Sequence, residues 1–300
     1  MASCCGPARA ADGTPGPAAG IDPEALRCLA GAAADDLHLV GLRGGRFLMG
    51  SDSQQAYPED REGPVRSVEV APFAISATAV TVAEFAAFVL STGYRTDAER
   101  YGNSLVFQEL APSRLRRTSP AVAATPWWLQ VAGAAWCAPA GPGSSRTLQP
   151  EHPVTHISHR DAVAYTLWLG ARLPAEDEWE FAARGGLQQQ PYPWGENREP
   201  RGVPMMNTFD GEFPHHPAGP VGPVAVDAYA PNGFGLHNMT GNVWEWTSGA
   251  FSVSDARPVM RGGSYLCHDS YCRRYTTSAR SATTAETSLG HTGFRVALST

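Results

Sequence analysis

The chain has 300 residues, 43% hydrophobic and 17% charged, enough to bury a substantial core without crosslinks. Its net charge of -6 argues against a nucleic-acid partner, and no apolar run approaches the roughly 18 residues a membrane helix needs. All 23 basic residues are Arg, which excludes a Schiff-base lysine and a P-loop lysine.

Residues 1–20 are mostly small residues and Pro and lack the apolar core of a secretory signal, so 1–37 reads as a flexible tail and 38–300 as the compact domain. In the tail, Cys5-Gly6-Pro7-Ala8-Arg9 spells Cys-x-Pro-x-Arg, and Asp22 is placed to cap a short helix over Pro23–Ala34. The segment LHLVGLRGGRFLMGSD predicts a hairpin about Gly44–Gly45, and SVEVAPFAIS a strand broken by Pro72, hence an edge. Thr81 to Glu84 is a capping box that starts a helix with Phe85, Phe88 and Val89 on one face and Gly93 as its stop. Ser158 to Asp161 is a second such box, leading to Gly170, and Pro174 opens a third helix with acids in its first turn. From Leu187 onward the chain is short apolar pieces between Gly, Pro and Asn, with no repeat at 20–50 residues. The fold class is therefore a sparse-helix, irregular α+β domain.

The six cysteines fall at 4, 5, 28, 137, 267 and 272, which is no disulfide framework for a chain this long and suits a cytoplasmic protein. Cys267 and Cys272 have no second pair to complete a zinc site. Two thiolates alone suit a soft ion such as Cu(I), and Arg273 and Arg274 directly after Cys272 favour the thiolate form. Buried structural thiols or a disulfide account for the same spacing. In PNGFGLHNMTGNVWEW, Asn238, Gly241, Val243 and Glu245 offer oxygens to a hard cation such as Ca²⁺; a Gly/Asn-rich turn before a buried Trp pair is the alternative. His152, His156 and His159 cluster without the carboxylate spacing of a metal motif, so they are expected to satisfy backbone groups in a turn.

In order along the chain, GGRFLMGSD, RLPAEDEWEFAARGG, PNGFGLHNMTGNVWEW, RGGSYLCHDSYCRRY and GFR resemble the formylglycine-generating enzymes of the sulfatase-modifying-factor family, over about residues 38–297. The resemblance implies the irregular sulfatase-modifying-factor (C-type-lectin-like) α+β fold, stabilised by Ca²⁺. It also implies an O₂-dependent oxidase that converts Cys in a Cys-x-Pro-x-Arg segment of an unfolded sulfatase-type polypeptide to Cα-formylglycine. Cys267 and Cys272 would hold Cu(I), Ser264 and Trp244 match active-site positions, and His291 stands where the family has Asn or His. The tail residues Cys5, Pro7 and Arg9 imitate the substrate, so the tail is a candidate substrate or self-inhibitor. A non-catalytic peptide-binding paralogue on the same fold is the competing reading.

Three departures from the family stand out. After Asn207 and Thr208 the acidic loop of a second Ca²⁺ site is missing, so that site is not expected. Residues 280–286, RSATTAE, replace the usual Arg-Ser-x-Asn-Thr-Pro-Asp, and the change bears on substrate preference. Thr277 and Val296 stand where eukaryotic members carry a disulfide.

Overall fold

Helix starts follow capping chemistry. The structure is a computed structural model that describes Pro7, residues 20–33 and residues 37–300; Cys4, Cys5 and Arg9 lie outside the described residues. The Asp22 carboxylate accepts from Ala25 N to start α1 (Pro23–Ala30), which ends at Gly31 rather than running to Ala34. Complete capping boxes start α2 (Val82–Thr92) at Thr81 and α3 (Asp97–Tyr101) at Thr96. The short α4 (Ser113–Thr118) lacks a side-chain cap, and α5 (His159–Leu169) begins at the Ser158–Asp161 box. The third sequence-predicted helix, α6 (Glu176–Ala183), starts two residues after Pro174, because Glu178 reaches back to the Ala175 N–H. Gly93, Gly102 and Gly170 take left-handed φ at the C-termini of α2, α3 and α5, a conformation costly for residues with a Cβ.

The predicted hairpin at Gly44–Gly45 does not form. The strands either side of it, β1 (Leu39–Leu42) and β2 (Gly45–Met49), join different sheets: β2 pairs with β3 (Arg66–Val70), and β1 with β4 (Phe73–Ser76). A Cβ at Gly44 would sit 2.2 Å from the Val70 carbonyl, so the positive-φ kink redirects the chain toward β3 rather than back on β1. Ala71–Pro72 likewise divides SVEVAPFAIS into two strands of different sheets, and β4 is not an edge. A three-stranded sheet holds β5 (Asn103–Phe107), β6 (Ala121–Val122) and β7 (Thr125–Ala132), with β7 in the middle. A small ladder joins β8 (Gly211–Glu212) to β9 (His216–Pro217). The long hairpin of β10 (Trp244–Ser252) and β11 (Asp255–Arg261) takes β12 (Arg280–Ala282) on one side and β13 (Thr292–Phe294) on the other. Finally β14 (Ala297–Ser299) pairs with β4, which makes β4 central between β1 and β14.

With so few ladder bonds, the segments are tied by packing and buried ions. The main core gathers Phe85, Phe88, Tyr165, Trp244 and Trp246 from α2, α5 and β10 with Trp136 from the segment after β7, and Cys267 and Cys272 belong to it. Arg295, fully buried, forms a bidentate pair with Glu245 (2.6 and 2.8 Å) and donates to the carbonyls of Ser76, Ala77 and His237. A second network links Arg261 and Arg184 through Glu180, and Arg261 and Arg280 through Glu176.

Removing one member of a buried pair strands the other charge. We expect Arg295→Met to cost about 3–5 kcal/mol in urea unfolding, against less than about 1 kcal/mol for Arg46→Ala in the exposed Arg46–Glu69 pair. Equal losses would place the stabilisation elsewhere.

Candidate active site

The site is assembled where β11 ends. Gly262 and Gly263 follow it with φ of 92° and 79°, and a Cβ at Gly263 would lie 2.0 Å from the Arg274 carbonyl, so the chain passes directly under the segment after Cys272. A loop from His268 to Cys272, closed by paired backbone bonds of 3.0 and 2.7 Å, folds the five-residue spacing back on itself. Cys267 Sγ and Cys272 Sγ thereby come to 3.6 Å, too far for a disulfide, and both residues are buried.

Other elements bring the remaining candidates to this pair. Ser264 donates its backbone N–H to Cys267 Sγ (3.4 Å), and its Oγ lies 3.0 Å from His291 Nδ1. The parallel register of β10 and β13 fixes His291, whose carbonyl accepts from Trp244 N at 2.8 Å. The Trp244 and Trp128 indole N–H groups are buried without a hydrogen-bond partner among the described residues. Trp128 stands edge-on to the His291 ring, centroids 4.7 Å apart. A wall of Trp127, Phe213 and Tyr271, centroids 4.8 to 5.4 Å apart, closes the opposite side. A cavity of about 10 Å³ remains between these walls and the thiols, room for about one water-sized molecule.

The two arginines after Cys272 part company. Arg273 is exposed and donates from Nε to the Asp269 carbonyl, whereas Arg274 turns inward with Nη1 3.8 Å from Cys272 Sγ. Asp60, from the short 3₁₀ turn Pro58–Asp60, accepts from Arg274 Nε, and the Tyr57 ring lies 4.1 Å beneath the guanidinium. Burial pushes the Asp60 carboxyl up to about 6 even with Arg274 beside it. Sequence reasoning missed Asp60, Trp128, Tyr271 and Phe213. Asp60 is more than two hundred residues from Arg274 and belongs to no motif with it.

Two buried thiols 3.6 Å apart are a donor set for a soft ion of low coordination. Among the described residues no group of three or more His, Cys, Asp or Glu forms a further metal cluster. The Asn238–Glu245 stretch fits a hard cation at one point: Asn238 Oδ1 is buried and unpartnered, while its Nδ2 donates to Val226 O at 2.8 Å. Glu245 in the same stretch is already engaged by Arg295 and by Trp179 Nε1. At Asn207 the protein supplies its own partners. Its Nδ2 donates to Gly222 O (2.9 Å) and Asn242 Oδ1 (3.1 Å), and that oxygen also accepts from Val224 N.

The three clustered histidines form no common site, although His152 and His156 line the same cavity. That cavity, of about 590 Å³, contains no cysteine, and His159 Nε2 lies 3.2 Å from the Thr247 carbonyl. His156 is buried, with Nδ1 2.8 Å from Ser104 Oγ and a further hydrogen bond to the Pro139 backbone. Cys137 is a core thiol whose pKa burial pushes up to about 12, and Cys28 lies exposed on α1.

Comparison with known proteins gives the following. Residues 31–300 match the family described as Sulfatase-modifying factor enzyme 1-like domain. The formylglycine-generating enzyme of Thermomonospora curvata is 49% identical over 280 residues, 86% of this chain and 92% of that protein. That of Streptomyces coelicolor is 45% identical, covering 97% of this chain and 95% of its own. A Bos taurus protein named inactive C-alpha-formylglycine-generating enzyme 2 is 42% identical over 87% of this chain and 88% of that protein. Among solved structures, PvdO from Pseudomonas aeruginosa superposes with a TM-score of 0.60 at 24% identity, covering 87% of this chain and 94% of that one.

Burial lowers the His156 pKa from 6.5 to about 3, so the unfolded chain takes up a proton first as the pH falls. Its contribution to stability is complete above pH 6.5 and is lost as pH falls from there toward 3. Asp60 and Asp161, raised to about 6, act in the opposite sense between 3.8 and 6, so the histidine is isolated only by difference. The stability gap between wild type and His156→Gln should narrow below pH 6.5 by up to about 1.4 kcal/mol per pH unit. Urea unfolding at pH 7, 6 and 5 measures it, and a constant gap would count against a neutral buried imidazole.

Proposed function

The chain belongs to the sulfatase-modifying-factor family, in its formylglycine-generating enzyme branch, and on that premise we propose a copper-dependent oxidase acting on Cys-x-Pro-x-Arg segments of unfolded sulfatase-type polypeptides. Identity alone does not decide activity, since a relative named inactive is 42% identical. The observation that carries the reading is the buried Cys267–Cys272 pair, 3.6 Å apart, lining one small cavity with the Ser264–His291 pair.

Bound Cu(I) supplies the one-electron chemistry with O₂ that an unactivated Cβ–H bond requires. Each protein group has a separable task in this reading. Cys267 and Cys272 bind the ion, and the substrate thiol approaches the same cavity. Trp127, Phe213 and Tyr271 exclude bulk water from it. The Trp128 indole N–H, on a residue that lines the cavity, offers a donor inside a low-dielectric site, where such a donor is worth more than in water. Trp244, matched through the family resemblance, is not among the lining residues. Ser264 Oγ and His291 Nδ1 share a proton in the cavity lining, positioned to move as the substrate loses its Cβ hydrogen and as hydrolysis exchanges its sulfur for water oxygen, releasing hydrogen sulfide. Of the stretch proposed for one Ca²⁺, Asn238, Gly241 and Val243 stay as candidates, supported by the unpartnered Asn238 oxygen, whereas the Glu245 carboxylate is committed to Arg295 and Trp179. Thr277 donates to the Gln190 carbonyl and Val296 is core, an arrangement that needs no disulfide and fits a reducing cytoplasm.

Purified protein loaded with Cu(I) and given O₂ and a Cys-x-Pro-x-Arg peptide should replace the peptide thiol by an aldehyde, read by mass. Cys272→Ala should abolish both Cu(I) binding and turnover. Peptide binding with the thiol left intact in the copper-loaded wild type would instead establish a non-catalytic peptide binder.

The tail supplies a substrate-like segment within the chain. Its basis is the sequence Cys5-Gly6-Pro7-Ala8-Arg9, of which Cys5, Gly6, Ala8 and Arg9 lie outside the described residues. We take the tail as a segment for the Cys267–Cys272 site, as substrate or as self-inhibitor. Aerobic copper treatment should then convert Cys5, read by intact mass, or deletion of residues 1–20 should lower KM for added peptide. Neither change would remove the tail from the reaction.

A further inference from the structure

A Cu(I) ion held by two thiolates carries a net negative charge, and Cys267 and Cys272 are 1% and 2% exposed. A buried net charge is costly unless a partner of opposite sign lies beside it. Cys267 receives the Ser264 backbone N–H, a dipole and not a charge. On the Cys272 side stands Arg274, also buried, with Nη1 3.8 Å from the sulfur. Guanidinium stays cationic even when desolvated, so its charge is constant across the working pH range.

We propose that Arg274, aimed by Asp60, is the countercharge that lets this buried dithiol hold Cu(I); the inference rests on the copper reading above. The surroundings of Arg274 show how it is aimed. Nε is taken by Asp60, Nη2 lies 3.9 Å from the exposed Glu59, and the Tyr57 ring supports the guanidinium face at 4.1 Å. The acidic turn is itself anchored: the Asp60 carbonyl accepts from Arg280 Nη1 (3.3 Å), and Glu62 accepts from Ser278 Oγ (2.7 Å). Arg274 is a positioning and charge-balancing residue, acting through the ligand sulfur and not on the substrate.

A merely structural Arg274 would tie the 58–60 turn to the segment after Cys272 and affect any ion bound there equally. Ion charge separates the two roles. With the same thiolates Cu(I) forms an anionic pair complex, whereas Hg(II) forms a neutral one, so only Cu(I) needs the countercharge.

The test measures anaerobic Cu(I) affinity of the full-length protein against a chromogenic Cu(I) chelator, and Hg(II) affinity against a small dithiol. Arg274→Met should weaken Cu(I) by about a hundredfold while Hg(II) changes less than about threefold. Arg274→Lys, which keeps the charge, should stay within about tenfold of wild type for Cu(I), and the exposed Arg273→Met should not differ. Equal weakening of both ions, or an Arg274→Met protein that binds Cu(I) like wild type, overturns the inference. Should Arg274→Met fail to fold, Arg274→Lys decides: Cu(I) affinity within about tenfold of wild type with Hg(II) affinity unchanged supports it, and a larger weakening shared equally by both ions overturns it. Failure of wild type to take Cu(I) removes the copper reading and this inference together, whereas failure confined to Arg274→Met removes this one alone.

Discussion

The buried pair of Arg295 and Glu245 fixes more of this molecule than any ladder does. Glu245 lies near the start of β10 and Arg295 just past the end of β13, so their bidentate contact holds those strands in parallel register. The same guanidinium collects carbonyls from the end of β4 and from the turn at His237, and Trp179 of α6 donates to the same carboxylate. Segments far apart in sequence thus converge on one charge pair. The register it sets is also what brings His291 beside Trp244 and within reach of Ser264.

That organisation suits a fold with little regular structure. Where ladders are short, backbone carbonyls need other partners, and an arginine provides five donors in a fixed fork. The second network, around Glu176 and Glu180, works alike: Arg184 reaches the Gly50 carbonyl, and Arg280 the carbonyls of Asp60 and Phe251. Arg280 therefore connects the buried network to the acidic turn that holds Arg274, and through it to the cysteines. Rigidity at the thiols derives from charge pairs placed well outside the cavity. A chain whose cations are all Arg is suited to such anchoring.

The shortened segment after Asn207 shows a related economy. There the Asn207 and Asn242 side-chain amides bond to each other and to the backbone of Gly222 and Val224, closing the loop with protein donors alone. At Asn238 the outcome differs, because one buried amide oxygen lacks a donor among the described residues. The two asparagines are alike in the sequence and diverge only through what the fold puts opposite them.

The sequence by itself determined what depends on neighbours along the chain. The capping boxes at Thr81 and Ser158 and the glycine stops at Gly93 and Gly170 are all local, set by groups reaching a few residues away. Its motifs also identified the family. Tertiary structure decided whatever depends on which segments meet. Gly44–Gly45 looked like a hairpin turn, yet the strands either side found partners in β3 and β4, because strand pairing is a competition among all exposed edges. Residues 71 and 72 looked like a break in one edge strand, yet they separate strands of two sheets. Adjacent Arg273 and Arg274 were equivalent in sequence, and only the distant Asp60 turned one of them toward the thiol. Electrostatic pairing acts through space, and nothing in the local pattern records which charge will be waiting there.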